Sequence, residues 1–254
     1  MKSNKYKRIA IVTGATSGIG EATVRIFISA GFGVIGNGRN KRKIGLLEKE
    51  LGSAFCGVVG DITENDILEL LFTCANNHFH KNVDIVIANA GHGLMGSVTN
   101  ADLSQFENIL KINVTSTLNL LQNAALRMVE KQKVNYPRFA ADIIIIGSVV
   151  GRNISPFNAV YGASKFAIHS LAESLRQEIS TTGVRVSLVE PGAVETNFQS
   201  NADYSENVME KIANDYGPLI TAEDVANAIY FLVTQPPNVH ISNIVIRPTR
   251  LPYP

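Results

Sequence analysis

The chain has 254 residues, of which 23 are basic and 22 acidic, so a net charge of +1 gives no electrostatic footprint for nucleic acid or an anionic membrane. Hydrophobic residues make up 45% of the sequence and charged residues 18%, enough for a large buried core. The most apolar run, residues 143–146, is far too short to span a bilayer. We therefore expect a cytoplasmic protein that binds neither nucleic acid nor membranes.

Short runs rich in valine and isoleucine alternate with longer segments of helical periodicity. The runs are apolar on both faces, as strands are when helices cover both sides of a parallel sheet; they span 9–13, 33–36, 55–59, 83–88, 142–147, 184–189 and 241–246. Candidate helices lie near residues 20–30, 41–51, 64–79, 103–132, 157–181 and 221–233. This alternation predicts an α/β fold with one Rossmann-type, doubly wound parallel sheet of about seven strands and helices on both faces. No repeat or linker interrupts the pattern, so we expect a single domain over residues 1–254.

The first predicted strand ends in a glycine-rich turn, residues 13–20 with the sequence TGATSGIG, and a predicted helix follows it. Glycines let the backbone turn tightly and approach a pyrophosphate, which the N–H groups and dipole of a helix N-terminus can hold. The spacing is GxxxGxG rather than GxGxxG, so the turn could also be a plain tight connection. Its place after the first strand of an alternating pattern favours a dinucleotide site.

The end of the second predicted strand indicates which dinucleotide would bind. Twenty residues beyond Gly18, a site specific for NAD usually carries an acidic residue for the ribose 2′-hydroxyl. Gly38 stands there instead, followed by Arg39, Asn40 and the basic run 41–43. The basic run could be only a solvated helix start, but cations at a helix N-terminus oppose its dipole, and a bound 2′-phosphate would reverse that effect. The sequence therefore predicts NADP(H) rather than NAD(H).

A serine, a tyrosine and a lysine follow the most apolar predicted strand. Ser148 comes directly after the run 142–147, where open α/β sheets place their ligands. Tyr161 and Lys165 are four residues apart on a predicted helix and so share a face. Alone, this tyrosine–lysine spacing would be read as an ordinary surface pair. Its occurrence together with Ser148 and the glycine-rich turn favours a catalytic site.

These residue types suit the reduction of a carbonyl by hydride from a nicotinamide. Tyr161 can supply the proton that the developing alkoxide needs, although a tyrosine pKa of ~10 lies ~4 kcal/mol above neutrality. One ammonium at ~4 Å in an effective dielectric of ~20 contributes about that much, so Lys165 is sufficient to activate the tyrosine. The Ser148 hydroxyl would hold the substrate oxygen and stabilise its developing charge.

Taken together, these motifs resemble the short-chain dehydrogenase/reductase family, and they occur in its order and spacing from the first strand to the last. The motifs are the 13–20 turn, Asn89-Ala90-Gly91, Asn113, Ser148, Tyr161 with Lys165, and Pro191-Gly192 with Thr196. The family often has two asparagines before the Ala-Gly, and here the first is Ala88. The C-terminal sequence lacks the glycine-rich ending of ketoacyl reductases. With Gly38-Arg39, it resembles the NADP-dependent hydroxy-acid and serine dehydrogenase branch.

The resemblance implies roles for individual positions. Asn113, Ser148, Tyr161 and Lys165 would be catalytic, with Asn113 holding a water that links Lys165 to solvent. Asp61 and Ile62 would contact adenine, Asn89 the adenosine ribose, and 191–196 the nicotinamide. The full set expected to bind the cofactor is Gly14, Thr16, Ser17, Gly18, Ile19, Gly20, Arg39, Asn40, Asp61, Ile62, Asn89, Tyr161, Lys165, Pro191, Gly192, Val194 and Thr196.

The substrate is expected to meet Ser148, Tyr161 and His92, although His92 is equally well explained as a solvated loop residue. Residues 193–218 would form a substrate lid, with Asn201, Asp203, Tyr204 and Tyr216 among its polar residues. We expect no metal site, because His78 and His80 are too close for a helical i, i+4 pair and no third ligand is evident.

The sequence thus predicts an NADP(H)-dependent oxidoreductase acting on a small carbonyl or alcohol, with a 3-hydroxy acid as one candidate substrate. The alternative is a non-catalytic NADP(H)-sensing regulatory protein on the same fold, but such sensors can lose the proton donor, which Tyr161 supplies here. The family resemblance implies a homotetramer. Apolar residues beyond one core-facing stripe on the helices 103–132 and 157–181 support a subunit contact; they are Leu118, Leu121, Leu126, Ile168 and Leu171.

Overall fold

A parallel sheet forms the centre of the computed structural model, which describes residues 5–196, 198 and 206–252. Within those residues its seven strands are β1 (Ile9–Thr13), β2 (Gly33–Gly38), β3 (Phe55–Val59), β4 (Ile85–Ala88), β5 (Ala141–Ile146), β6 (Val184–Pro191) and β9 (Asn243–Ile246). They lie in the order β3-β2-β1-β4-β5-β6-β9, and every pair is parallel. The predicted α/β fold with its doubly wound sheet is confirmed. The strand order reverses between β1 and β4, which is where such sheets open a crevice for ligands.

Helices cover both faces of the sheet. They are α1 (Gly18–Ser29), α2 (Lys41–Leu51), α3 (Asn65–Phe79), α4 (Phe106–Leu110), α5 (Ser116–Asn135), α6 (Ala159–Ile179), α7 (Glu206–Tyr216) and α8 (Ala222–Thr234). Alternate strand residues enter two separate cores: Ile9 and Ile11 pack with α3, α5 and α6, whereas Ala10 and Val12 pack with α1, α2 and α8. This explains why the strands are apolar on both faces.

The helix predicted over 103–132 is interrupted. A 3₁₀ turn at Leu103–Gln105 leads into α4, and a π-helical turn at Lys111–Thr115 separates α4 from α5. The predicted helix did not include this turn, because a π-turn differs from an α-helical turn by a single inserted residue and carries no sequence signal of its own. Single π-turns within helices occur frequently at functional sites, and this one contains Asn113.

The segment predicted as a lid contains more regular structure than its polar sequence suggests. Val194–Glu195 (β7) pairs with Ile220–Thr221 (β8) in a small second sheet, and α7 lies between these two strands in the chain. Residues 197 and 199–205, which include the predicted lid residues Asn201, Asp203 and Tyr204, lie outside the described residues.

The prediction of unused apolar helix surface was partly wrong. Leu121 and Ile168 are each only 2% exposed and belong to the core between the sheet and the helices α3, α5 and α6. The half-buried Leu171 packs against that core. The buried stripe is wide because α5 and α6 contact each other as well as the sheet. Leu118 and Leu126 do remain exposed, at 46% and 66%. In the described ranges no helix is long and apolar enough to cross a membrane.

Candidate active site

The turn between β1 and α1 is held in shape by hydrogen bonds within the protein. The Asn89 side chain donates to the carbonyl oxygen of Thr13 at 2.9 Å, and the Thr13 hydroxyl oxygen accepts from the backbone N–H groups of Asn89 and Ala90 at 3.0 Å. Gly14 has a φ of 66°, and a Cβ on Gly20 would collide with the Gly14 carbonyl. The glycines at both positions are therefore required by the turn itself.

The N-terminus of α1 opens without a side-chain cap. Ser17, the residue before the helix, is extended and its side chain makes no capping hydrogen bond. The first intrahelical bond joins the Glu21 N–H to the Ser17 carbonyl at 3.2 Å, so the N–H groups of residues 18–20 have no partner within the helix. Uncapped N–H groups beside closely spaced glycines form a cradle that fits a pyrophosphate.

A cavity of about 830 Å³ extends from this turn across the carboxyl ends of β4, β5 and β6. Most of the predicted site residues line it; they are Gly14, Thr16, Ser17, Gly18, Ile19, Arg39, Asp61, Ile62, Asn89, His92, Ser148, Tyr161, Pro191, Gly192, Val194 and Thr196. The other four are not among its lining residues. Gly20 supports the turn, Asn40 caps α2 by accepting from the Lys43 N–H at 3.0 Å, and Asn113 and Lys165 lie behind the wall.

The end of the cavity near β2 carries a positive charge. Arg39 is exposed at its edge, directly after the buried Gly38. Burial acts to raise the pKa of Asp61, but hydrogen bonds from Thr63 and the nearby charges of Arg39 and Lys111 outweigh it and hold that pKa below its ordinary value. A Cβ on Gly38 would lie 2.6 Å from the Thr16 methyl carbon, so an aspartate could enter there only by displacing Thr16.

Ser148 and Tyr161 lie on one wall at the opposite end. Ser148 follows β5 and precedes a 3₁₀ turn at Val149–Gly151, and its hydroxyl oxygen accepts from the Val150 N–H at 3.4 Å. Tyr161 is only 8% exposed and packs against Val149 and Val150, with its ring centroid 5.6 Å from that of Phe198. The tyrosine is thus largely enclosed by apolar side chains.

Lys165 lies behind this tyrosine, fully enclosed by the protein. Its Nζ donates to the Ile146 carbonyl oxygen at 2.9 Å and lies 5.5 Å from the centroid of the Tyr161 ring. No carboxylate in the described part of the chain forms an ion pair with it. Burial therefore lowers the pKa of Lys165 to about 8.

Asn113 connects the loop after β4 to α6. Its side-chain oxygen accepts from the His92 N–H at 2.8 Å, and its Nδ2 donates to the His92 carbonyl at 2.8 Å and to the Ser164 hydroxyl at 3.0 Å. These bonds fix the loop that carries Gly91 and His92 beside the catalytic helix. The water relay expected at Asn113 stays a prediction, as does substrate contact by His92.

Sequence reasoning did not identify the apolar wall around Tyr161, and of the α7 residues in the cavity lining it named only Tyr216, as part of the predicted lid. The wall consists of Met95, Val149, Val150, Phe157 and Phe198, and α7 adds Lys211, Ile212, Asp215 and Tyr216. These residues come from separate segments of the chain, so no spacing links them. Within the described ranges, no group of three or more histidine, cysteine, aspartate or glutamate side chains is placed to hold a metal.

Comparison with known proteins identifies the family. The family model described as short chain dehydrogenase matches residues 8–207. The chain belongs to this family. As a short-chain dehydrogenase it is an oxidoreductase, and the predicted family resemblance is confirmed.

Several relatives align with this short-chain dehydrogenase over nearly its whole length. An uncharacterised oxidoreductase from Staphylococcus epidermidis is 31% identical over 242 residues, covering 95% of this chain and 97% of the relative. Serine 3-dehydrogenase from Agrobacterium fabrum is 31% identical over 244 residues, covering 94% and 92%.

Solved structures agree with this relationship. The closed form of a serine dehydrogenase complexed with NADP+ superposes with a TM-score of 0.86 at 30% identity, covering 96% of each chain. Serine dehydrogenase from Escherichia coli superposes with a TM-score of 0.80 at 27% identity, covering 96% of this chain and 100% of its own. The predicted similarity to the serine dehydrogenase branch is therefore confirmed.

Proposed function

We propose that this chain catalyses hydride transfer between NADP(H) and a small carbonyl or alcohol, with Tyr161 as the proton donor and acceptor. The observation that carries the proposal is the buried Lys165, which pairs with no described carboxylate. It lies beside Tyr161 at one end of a cavity whose other end is an uncapped helix N-terminus. Burying an ammonium costs folding free energy. The proposed chemistry requires this buried charge, because the charge stabilises the deprotonated Tyr161.

The cofactor would lie along the cavity from Arg39 to Tyr161. The uncapped N–H groups of α1 would hold the pyrophosphate, Asp61 and Ile62 would contact the adenine, and 191–196 would lie along the nicotinamide. When bound, NADPH supplies the hydride. The serine dehydrogenase solved with NADP+ supports this choice of cofactor, as does Arg39 at the expected position of the 2′-phosphate.

In this proposal Tyr161 transfers the proton, and Lys165 and Ser148 stabilise the charges that develop. Tyr161 donates it to the substrate oxygen during reduction and accepts it during oxidation. The charge on Lys165, fixed by the Ile146 carbonyl, stabilises the phenolate that forms, so the tyrosine can act near neutral pH. The Ser148 hydroxyl would orient the substrate oxygen and stabilise its developing charge.

We propose that the substrate is neutral rather than a carboxylate. The lid segment 193–218 contains five acids, Glu195, Asp203, Glu206, Glu210 and Asp215, and a single base, Lys211. Of the described residues that line the cavity, Arg39 and Lys211 are the cationic ones, and the wall around Tyr161 is mainly apolar. An acidic lid repels an anionic substrate. A 3-hydroxy acid is the second candidate, favoured by the serine dehydrogenases among the relatives, and it would depend on Lys211.

The test is the oxidation of NADPH, followed by absorbance, with neutral ketones, aldehydes, cyclic diketones and oxo-acids, together with the oxidation of 3-hydroxy acids by NADP+. We expect turnover with neutral carbonyls. Binding of NADPH without turnover of any substrate would favour the sensor alternative, because a sensor needs only the cofactor end of the cavity.

We further propose a homotetramer that works in the cytoplasm. We assign two subunit contacts to exposed apolar residues, one to Leu118, Leu126 and Phe166 on α5 and α6, and one to Phe231 and Val245 on α8 and β9. A closed tetramer of two-fold symmetry needs two such self-complementary faces. Two unpaired cysteines suit a reducing compartment. A sedimentation experiment that finds only monomer at micromolar concentration would reject the assembly, and fractionation of source cells tests the location.

A further inference from the structure

A buried carboxylate lies next to the Ser148 turn and has no part in the chemistry described so far. Glu190, near the end of β6, is 0% exposed. Its two oxygens accept hydrogen bonds from the Arg152 guanidinium at 2.8 and 2.6 Å, and one also accepts a longer bond from Asn243 at 3.4 Å. The carboxylate is therefore held in one orientation.

His169 joins this carboxylate to Ser148. Its Nε2 accepts a hydrogen bond from the Ser148 backbone N–H at 3.3 Å, and its Nδ1 lies 3.8 Å from a Glu190 oxygen. Because Nε2 accepts, the ring proton belongs on Nδ1, on the side that faces the carboxylate. His169 and Lys165 lie four residues apart on α6, so both side chains are on the face of this helix that points towards the end of β5.

The ring of His169 is also closely enclosed by the backbone on both sides of Ser148. A Cβ on Gly151 would lie 2.5 Å from two of its ring atoms, and one on Gly147 would be closer still. The backbone of the Ser148 turn therefore packs directly against the imidazole ring of His169. This contact also explains why both positions are glycines.

We propose that His169 is a positioning residue for Ser148: it holds the Ser148 main chain through Nε2, while the nearby charge of Glu190 favours a proton on Nδ1. It thereby sets where the Ser148 hydroxyl meets the substrate oxygen. This inference rests on the proposed function of Ser148.

The electrostatic surroundings keep this histidine an acceptor. Together the surroundings lower the pKa of His169 to about 4: burial lowers it most, Glu190 on β6 raises it, and the charges of Lys165 on α6 and Arg152 after the Ser148 turn lower it. The imidazole is neutral at the pH of ordinary assays. Protonation would turn Nε2 into a donor facing the Ser148 N–H, which would break the bond.

The test compares two substitutions that remove the ring equally. His169→Gln keeps an acceptor oxygen at about the reach of Nε2, whereas His169→Met has similar length and volume but only a weakly accepting sulfur. With a carbonyl that the wild-type enzyme reduces, we expect the methionine variant to lose about 10- to 100-fold in kcat with the Kd for NADPH unchanged. The glutamine variant should recover most of that loss. Equal kcat values for two variants of equal thermal stability would overturn the proposal and leave His169 a packing residue.

A second measurement does not depend on turnover. In the ¹⁵N-labelled, NADPH-bound protein, the ring nitrogens of His169 should report a protonated Nδ1 and an unprotonated Nε2 throughout the neutral pH range. The signal is assigned by its loss in His169→Gln. A protonated Nε2 would overturn the proposal even in an active enzyme. If the chain reduces no carbonyl at all, the proposed function fails, while these ring signals still decide whether His169 holds the Ser148 turn.

Discussion

The two ends of the cavity are built by different means. At the end near β2, the turn after β1 is shaped by backbone groups and two neutral side chains, Thr13 and Asn89, which form hydrogen bonds within the protein. At the end near Tyr161, Lys165 is buried with no partner among the carboxylates that the structure describes, and Glu190 is 0% exposed. The first arrangement adds to stability, whereas the second includes a charge whose burial costs stability.

In the proposed function, this difference separates cofactor binding from chemistry. Neutral hydrogen bonds fix a shape at little cost, and a phosphate cradle needs little more than a shape and a helix dipole. Proton transfer needs a charge in a poorly solvated place, because water would screen the effect of the ammonium on the tyrosine. The free energy gained by packing the rest of the core must therefore offset the cost of burying the Lys165 ammonium.

The largest effect should come from Tyr161→Phe, which should impair catalysis without impairing cofactor binding. Loss of a positioned proton donor should lower kcat by ~10²–10⁴-fold while the cofactor end stays intact. The Kd for NADPH, measured by fluorescence titration, should change little. Tyr230→Phe on α8 removes a hydroxyl from a tyrosine that packs against Phe27 and Phe32, and it serves as the matched control. Near-normal turnover in Tyr161→Phe would remove Tyr161 from the mechanism.

Lys165→Met should lower activity, by less than Tyr161→Phe does, yet stabilise the fold at neutral pH. The lysine pKa falls from 10.5 to about 8 on folding, a difference worth about 3 kcal/mol. Below pH 8 both states of the wild type are protonated and the native state bears this full cost. As the pH rises from 8 to 10.5 the native lysine is neutral while the unfolded one is still charged, so the cost declines.

Urea denaturation of both proteins at several pH values checks this prediction. The advantage of the methionine variant should be largest near pH 7 and should shrink steadily above pH 8. The exposed Lys49→Met controls for a general effect of removing a lysine. A wild type more stable than Lys165→Met at pH 7 would contradict the idea that the catalytic end is held at a cost.

Arg39→Gln tests the cofactor end. One charge-assisted hydrogen bond to the 2′-phosphate contributes roughly 1.5–3 kcal/mol, so kcat/KM with NADPH should fall by about 10- to 100-fold and that with NADH should stay nearly constant. Gly38 is left unchanged, because an aspartate there would displace Thr16. Arg42→Gln, on the exposed start of α2, is the control. Equal use of both cofactors by the wild type would show that the basic run is only a solvated helix start.

Lys211→Gln should have the smallest effect. Since the proposed substrate is neutral, kcat/KM for neutral ketones should change by no more than about twofold, the size expected of an exposed charge. Glu210→Gln, an exposed neighbour outside the cavity lining, is the control. If the best substrate proves to be a hydroxy acid whose KM rises strongly in Lys211→Gln, the neutral-substrate proposal is wrong.

Local patterns in the sequence determined most of the fold. The runs 9–13 and 55–59 coincide with β1 and β3, and the helix predicted over 41–51 coincides with α2. Such elements are specified by residues that are close in sequence, since periodicity, turn glycines and capping act over a few positions. The glycine-rich turn and the Tyr161–Lys165 spacing could be identified for the same reason.

Only the tertiary structure decided what surrounds those motifs. Glu190 follows an apolar run and gives no sign in the sequence that it faces Arg152 and His169, because these contacts join β6 to a turn and a helix elsewhere in the chain. The interruption of the predicted 103–132 helix by a π-turn and the burial of Leu121 likewise depend on packing against α6. Sequence neighbours set the chemistry available to this enzyme. Contacts between distant segments decide which charged side chains are buried next to the site. No local sequence pattern predicts those contacts.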